Sequence, residues 1–186
     1  MQVKSELRRV MLSRRDSIAA EQRSEAGSAV AINALLRDQL NAADTVLCYV
    51  NIGSEMPTDR IIGYCLQNGI SVAAPICLGE NIVFRYINGF NDLEHGSFSV
   101  LEPKAHCPAA RITTASVCIT PAVCYNKSGF RIGYGKGYYD RFFSENKCIK
   151  IGLCYEDLIA DFSPDMNDVA VDMIVTERRF RRINNG

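Results

Sequence analysis

Apolar residues recur at helical spacing from the start of the chain. Val3, Leu7, Val10 and Met11 fall on one face, while Lys4, Arg8 and Arg15 fall on another stripe, which predicts an amphipathic helix with one buried and one basic side. A second helix is predicted from about residue 21 to 40, its apolar stripe made by Ala29, Ile32, Leu36 and Leu40. The period then changes. Residues 45–51 form a short β-branched and apolar run of the kind that is covered on both faces of a sheet. Pro57 and Thr58 open a helix with Ile61, Ile62, Cys65 and Leu66 on one stripe, and Gly69 closes it. Residues 70–76 read as the next strand, so strand, helix and strand predict a right-handed parallel crossover.

Between 79 and 108 the pattern turns to short strands, 82–87 and 98–101, punctuated by Asn88-Gly89 and His95-Gly96, which predicts an antiparallel excursion. A buried strand returns at 116–120, followed by Pro121. A glycine-rich loop at 129–137 leads into a helix over 138–144, and 149–154 and 171–176 read as the last strands. The expected fold class is α/β: a three-layer α/β/α arrangement with a mostly parallel central sheet and a short antiparallel insertion. At 186 residues, without repeats or a dividing linker, the chain is expected to form a single domain over 1–186. Ligands of such sheets sit beyond the carboxyl ends of the strands, where the loops carrying Glu55 and Gly133 fall.

Composition narrows the function classes. Lys plus Arg and Asp plus Glu number 21 each, so no broad electrostatic footprint for nucleic acid or anionic membrane is expected. The eight cysteines never approach CxxC spacing and mostly lie in apolar runs, which predicts reduced core thiols and a cytoplasmic protein. Lys4, Glu6, Arg8 and Arg9 interrupt the first ten residues, so no signal peptide is expected, nor any membrane span.

The chemistry concentrates in Gly129-Phe-Arg-Ile-Gly-Tyr-Gly-Lys-Gly-Tyr-Tyr-Asp140. Closely spaced glycines let backbone N–H groups converge on an anion, and they supply whatever positive φ such a nest requires. With positive φ at Gly133, an alanine there would cost about 1–2 kcal/mol. Arg131 and Lys136 add full charge to those dipoles, and a helix starting at Tyr138 points its N-terminus at the same place. A Walker A loop is excluded because Phe130 and Gly137 occupy its glycine and hydroxyl positions, and a dinucleotide fingerprint because Tyr138 replaces its third glycine. The bland alternative is a hairpin turn with solvated charges. The aromatic pair Tyr138-Tyr139 and Asp140 in the same segment favour a site for a flat heterocyclic, phosphate-bearing ligand.

Pro121 and the run Asn126-Lys-Ser-Gly-Phe-Arg-Ile-Gly-Tyr-Gly-Lys-Gly-Tyr-Tyr-Asp-Arg141 resemble the long signature of the 5-formyltetrahydrofolate cyclo-ligase, or 5,10-methenyltetrahydrofolate synthetase, family. Lys4-x-x-Leu7-Arg8, Glu55, Glu102-Pro103 and Asp168-Val-Ala-Val-Asp172 support the resemblance in family order along nearly the whole chain. It implies a NagB/RpiA/CoA transferase-like fold and an ATP- and magnesium-dependent closure of 5-formyltetrahydrofolate to 5,10-methenyltetrahydrofolate, with ADP and phosphate released. In the implied mechanism the formyl oxygen takes the γ-phosphoryl group, N10 attacks the activated carbon and phosphate leaves. Such a transfer needs alignment and charge neutralisation more than a protein nucleophile.

The resemblance also implies roles. Lys4, Arg8, Arg131, Ile132, Gly133, Tyr134, Gly135, Lys136, Gly137, Tyr138 and Tyr139 match ATP-binding positions. Val50, Glu55, Tyr134, Gly135, Lys136, Gly137 and Tyr138 match positions at the folate. Asp140 and Asp172 match magnesium ligands, and Lys136 with Arg131 would carry the catalytic charge. Tyr49 and Phe98 fall on pocket positions that core packing explains almost as well. Ile76 and Cys77 depart from the pattern, since many members carry a basic or aromatic residue there. The implied partners are 5-formyltetrahydrofolate and ATP, with no nucleic acid or membrane, and the chain is expected to be a monomer. The rival readings are a non-catalytic folate- or nucleotide-binding sensor, against which the joint presence of Lys4, Lys136, Asp140 and Asp172 argues, and an RNA-binding loop, against which the zero net charge argues.

Overall fold

The structure, a computed structural model, describes residues 2–96 and 100–183, with side chains from Lys4 onward. The Val3 side chain and Phe98, with the start of the strand expected at 98–101, lie outside the described residues. Five α-helices are described: α1 (Gln2–Asp16), α2 (Ala20–Ala31), α3 (Ala34–Ala42), α4 (Asp59–Gln67) and α5 (Tyr138–Glu145). The main sheet is built from β1 (Thr45–Cys48), β2 (Ser71–Leu78), β3 (Asn81–Ile87), β6 (Val117–Pro121), β9 (Ile149–Leu153), β10 (Met173–Val175) and β11 (Phe180–Arg182). Two small antiparallel pairs stand apart from it: β4 (Leu93–His95) with β5 (Leu101–Pro103), and β7 (Cys124–Tyr125) with β8 (Arg131–Ile132).

Strand order in the sheet is β11-β10-β9-β6-β1-β2-β3. The five inner strands run parallel, with Val46 opposite both Val72 and Val117, and the two edge strands run antiparallel. This is the expected α/β fold with its antiparallel excursion. Alternation along the strands sorts side chains to two cores. Val46, Cys48, Val72, Ile119, Ile151 and Val175 pack toward α2, α3 and α4, while Leu47, Ala73 and Cys118 pack toward Phe142 and Phe143 of α5. Leu36, Leu40 and Ile61 are fully buried in the first layer, each contributing about 1.5–3 kcal/mol. No described helix is long and apolar enough to cross a membrane.

Several element boundaries differ from the sequence expectation. The single helix expected over 21–40 is two, because the Asn33 side chain accepts a hydrogen bond from Leu36 N at 3.1 Å and starts a new helix. The break also rotates the stripe. Leu36 and Leu40 are buried as expected, but Ile32, expected in the core, is 68% exposed and Ala29 is half-buried, and Val30 and Ala31 take the buried positions of α2. Val10 is likewise turned outward. The strand expected to reach residue 51 ends at Cys48, since Thr58 donates its hydroxyl to the Tyr49 carbonyl at 2.7 Å and its N–H to Asn51 Oδ1 at 3.3 Å, which draws residues 49–51 out of the sheet. Strands β4, β7, β8 and β11 were not expected, because two or three residues are too few to show a period.

Candidate active site

The carboxyl ends of β1 and β6 open on the same side, and their loops meet α1 there. From α1, Arg8 Nε donates to the Gly133 carbonyl at 2.6 Å, and Arg15 reaches Tyr134 Oη at 2.5 Å, Ser54 Oγ at 3.0 Å and the Ala122 carbonyl at 3.3 Å. Arg15 is therefore no solvated charge: it is 2% exposed and stitches the first helix to both loops. Lys4 is paired with Asp168 at 2.6 Å and Asp165 at 2.8 Å. Burial pulls the Lys4 pKa down, but hydrogen bonds and charge from those two aspartates outweigh it and hold the amine above its ordinary value.

The glycine-rich segment divides its work. Gly129 turns the β7–β8 hairpin, with Asn126 Oδ1 accepting from Ser128 N and Phe130 N at 3.0 Å each. Beyond β8 the left-handed backbone occurs at Gly135 (φ +93°) and Gly137 (φ +66°), which directly precedes α5. Gly133, expected in that region, is outside it, and an added Cβ there would meet nothing within 4 Å. A Cβ on Gly135 would instead lie 3.5 Å from the Arg8 guanidinium. Tyr134, Gly135 and Lys136 are exposed at the loop tip. The start of α5 is pinned to the β2–β3 turn by Tyr138 Oη donating to the Gly79 carbonyl at 3.1 Å and Arg141 Nε to the Glu80 carbonyl at 2.9 Å.

Arg131 differs from the other loop cation. It is buried, its Nη1 donates to the Val169 carbonyl at 2.9 Å and its Nη2 to Asp140 Oδ1 at 2.6 Å, and it lies over the rings of Tyr139 and Phe143. Ile132 is core, 2% exposed, so only its backbone could face a ligand. Lys136 has no hydrogen-bond or ion-pair partner among the described residues.

Glu55, next to the Ser54 that Arg15 ties to Tyr134 of the loop, is 5% exposed. Its Oε2 accepts from Ile52 N at 3.0 Å, and Tyr155 Oη supports the segment through the Ser54 and Glu55 carbonyls at 3.3 and 3.2 Å. Burial raises the Glu55 pKa against the opposing hydrogen bond from Ile52 and the Arg15 charge. Burial and then the Glu55 charge push the Tyr49 hydroxyl well above its ordinary value; the Tyr139 hydroxyl is raised by burial, Cys118 and Glu55. Tyr49 belongs to the core that α2, α3 and α4 cover, with half-buried Val50 packed against it, while Tyr139 packs with Phe142 and Phe143 on the other face of the sheet. Ile76 lies elsewhere, lining a separate cleft of about 180 Å³ with Arg85, Glu94 and Glu102, and Cys77 is exposed.

Asp140 and Asp172 carry the carboxylate oxygens that a hard divalent ion selects. Asp140 Oδ1 holds Arg131 and accepts from Val169 N at 3.1 Å; Asp172 Oδ2 accepts from Lys150 N at 2.7 Å and pairs with Lys150 Nζ at 3.0 Å. Each carboxylate commits one oxygen to protein and keeps 26% and 33% exposure, a donor set that suits magnesium shared with phosphate oxygens. They share no protein partner. Asp140 adjoins the loop, whereas Asp172 stands at the amino end of β10. Sequence reasoning missed the structural duties of Arg15, Asn126 and Tyr155. Spacing put Arg15 on the basic stripe, and nothing in the pattern marked that position as buried.

The 5-formyltetrahydrofolate cyclo-ligase family matches residues 1–177. A probable 5-formyltetrahydrofolate cyclo-ligase of Caenorhabditis elegans is 29% identical over 95% of this chain and 93% of its own, and a 5-formyltetrahydrofolate cyclo-ligase of Mycolicibacterium smegmatis 28% identical over 95% and 94%. The solved 5,10-methenyltetrahydrofolate synthetase of Aquifex aeolicus superposes with a TM-score of 0.85 at 27% identity, covering 99% of this chain and 94% of that one.

Proposed function

The chain belongs to the 5-formyltetrahydrofolate cyclo-ligase family and closes 5-formyltetrahydrofolate to 5,10-methenyltetrahydrofolate, and from that premise we propose that ATP drives the closure at the 131–139 loop, with Lys136 as the cation on the transferred phosphoryl group. The observation that carries this reading is partnering. Of Lys4, Arg8, Arg15, Arg131, Lys136 and Arg141, only Lys136 is without a protein hydrogen bond or ion pair among the described residues. A cation left unpaired beside exposed amides is the one available to neutralise charge developing on phosphate oxygens.

The reaction then divides among residues of this chain. The amides of 133–137, and those at the start of α5, hold the triphosphate, and Arg8 fixes the loop through the Gly133 carbonyl. Glu55 accepts hydrogen bonds from pterin N–H groups, with Val50 and Tyr138 beside it. Held in line, the formyl oxygen bonds to the γ-phosphorus as the bond to the β-phosphate oxygen breaks and ADP departs. N10 then adds to the formyl carbon, its proton goes to solvent, and the carbon–oxygen bond breaks to release phosphate. Lys136 balances charge in the first step. Arg131 acts as a positioning residue, holding Asp140 while packed on Tyr139. Magnesium, if bound at Asp140 and Asp172, would neutralise phosphate charge. The proposed site is assembled within one chain, so a monomer suffices, and the eight free thiols suit a reducing, cytoplasmic compartment.

The test is formation of the methenyl chromophore from ATP, magnesium and 5-formyltetrahydrofolate. Lys136→Ala should lower kcat by at least about tenfold, equivalent to about 1.5–3 kcal/mol, with little change in the folate KM. Glu55→Ala should mainly raise the folate KM. The reverse pattern would overturn the assignment.

A further inference from the structure

Asp92, His106 and Cys107 meet where the β4–β5 hairpin leaves the sheet, and no step of the proposed reaction uses them. A carboxylate oxygen of Asp92, a ring nitrogen of His106 and the Cys107 sulfur all lie within 4.8 Å of one another. The backbone fixes the arrangement. Lys104 N donates to the Asp92 carbonyl at 2.8 Å, Cys107 N to the Lys104 carbonyl at 3.0 Å, and Asn88 N to Asp92 Oδ2 at 2.7 Å. Asp92 thereby spends one carboxylate oxygen on the chain and turns the other, Oδ1, to His106 Nε2 at 3.5 Å. From β3, Arg85 Nη1 donates to the Ala105 and Cys107 carbonyls at 2.8 and 3.4 Å, which holds the 105–107 segment against the sheet. The sulfur is buried while the His106 side chain is 68% exposed, so an ion has an open approach on the imidazole side.

We propose that Asp92, His106 and Cys107 form a binding site for a borderline-soft divalent cation of the zinc type. Thiolate, imidazole and carboxylate are the three ligand types such an ion combines, with water in the fourth position, and a thiolate is a poor ligand for magnesium. The site is thereby chemically distinct from Asp140 and Asp172. On binding, the Cys107 S–H bond breaks, its proton goes to solvent and the sulfur lone pair bonds the ion, with no change of oxidation state. One thiolate and one carboxylate then balance the two positive charges. Because the ligands flank residues 93–105, the ion would staple the base of the hairpin and stiffen that excursion.

Cobalt(II) titration of the purified chain reads the site directly. The expected result is a sulfur-to-cobalt charge-transfer band in the near ultraviolet with tetrahedral visible bands, both reversed by zinc. His106→Ala, at an exposed position, should weaken binding about tenfold or more and leave methenyl formation unchanged. Cys107→Ser should abolish the charge-transfer band, whereas Cys77→Ser, at the exposed cysteine outside the cluster, should keep it. A cobalt spectrum without a thiolate band, or wild-type affinity in His106→Ala, would overturn the proposal, and the second outcome does not depend on how Cys107→Ser folds.

Discussion

Glu55 places a carboxyl group where burial disfavours its charged form. Burial raises its pKa, so the folded chain retains this proton to higher pH than the unfolded chain does. The sign follows from linkage: the contribution to stability is fully present below the unfolded carboxyl pKa and is lost as pH rises through the folded one. Glu55→Gln can still accept from Ile52 N but carries no charge. Its Tm should exceed that of the wild type by a margin that grows from pH 4 to pH 7, while folate affinity falls. A margin that is flat or shrinks with pH would mean that Glu55 is not penalised by burial. Gly137 presents a backbone conflict of another kind. With φ +66° at the entry to α5, Gly137→Ala should cost about 1–2 kcal/mol in denaturant unfolding, whereas Gly133→Ala should change stability little. Glycine crowding made the loop visible in the sequence. Which glycine is left-handed was not, because it depends on how α5 and Arg8 seat against the chain.

At the level of elements, the loop is aimed by its neighbours. The pair Arg131–Asp140 ties β8 to α5, and Asp140 also accepts from Val169 N before β10. Removing Asp140 leaves a guanidinium that is 6% exposed without its counter-charge. Asp140→Ala should therefore lose about 3 kcal/mol of stability in urea unfolding in addition to activity. Unchanged stability with lost activity would show that Asp140 serves a ligand alone. The strands of the parallel core were legible as β-branched runs, α4 as an amphipathic stripe, and α5 as the helix into which the glycine-rich loop leads. The break between α2 and α3 was hidden because Ile32, Leu36 and Leu40 keep helical spacing across it, and only the Asn33 cap decides the matter. Strands of two or three residues, such as β7 and β8, are specified by their hairpin turn rather than by a period, so pattern reading passes over them. Arg15 escaped for a related reason: a buried arginine and a solvated one look alike until the acceptors Ser54 and Ala122 are brought to it.

On the scale of the whole molecule, parallel strands deliver the Glu55 loop after β1 and the glycine loop after β6 to one side of neighbouring strands, and α1 closes over both. This is why residues about 80 positions apart in sequence stand on one side of the sheet, and why the first helix joins them although it belongs to no strand crossover. In the proposed reaction the backbone amides of 131–139 wrap a triphosphate. Hydrogen–deuterium exchange with a non-hydrolysable ATP analogue and magnesium measures those amides directly. Slowed exchange concentrated in 131–140 and in the part of α1 around Lys4 and Arg8 is the predicted result. Protection elsewhere, with this loop exchanging as fast as in the free chain, would contradict it.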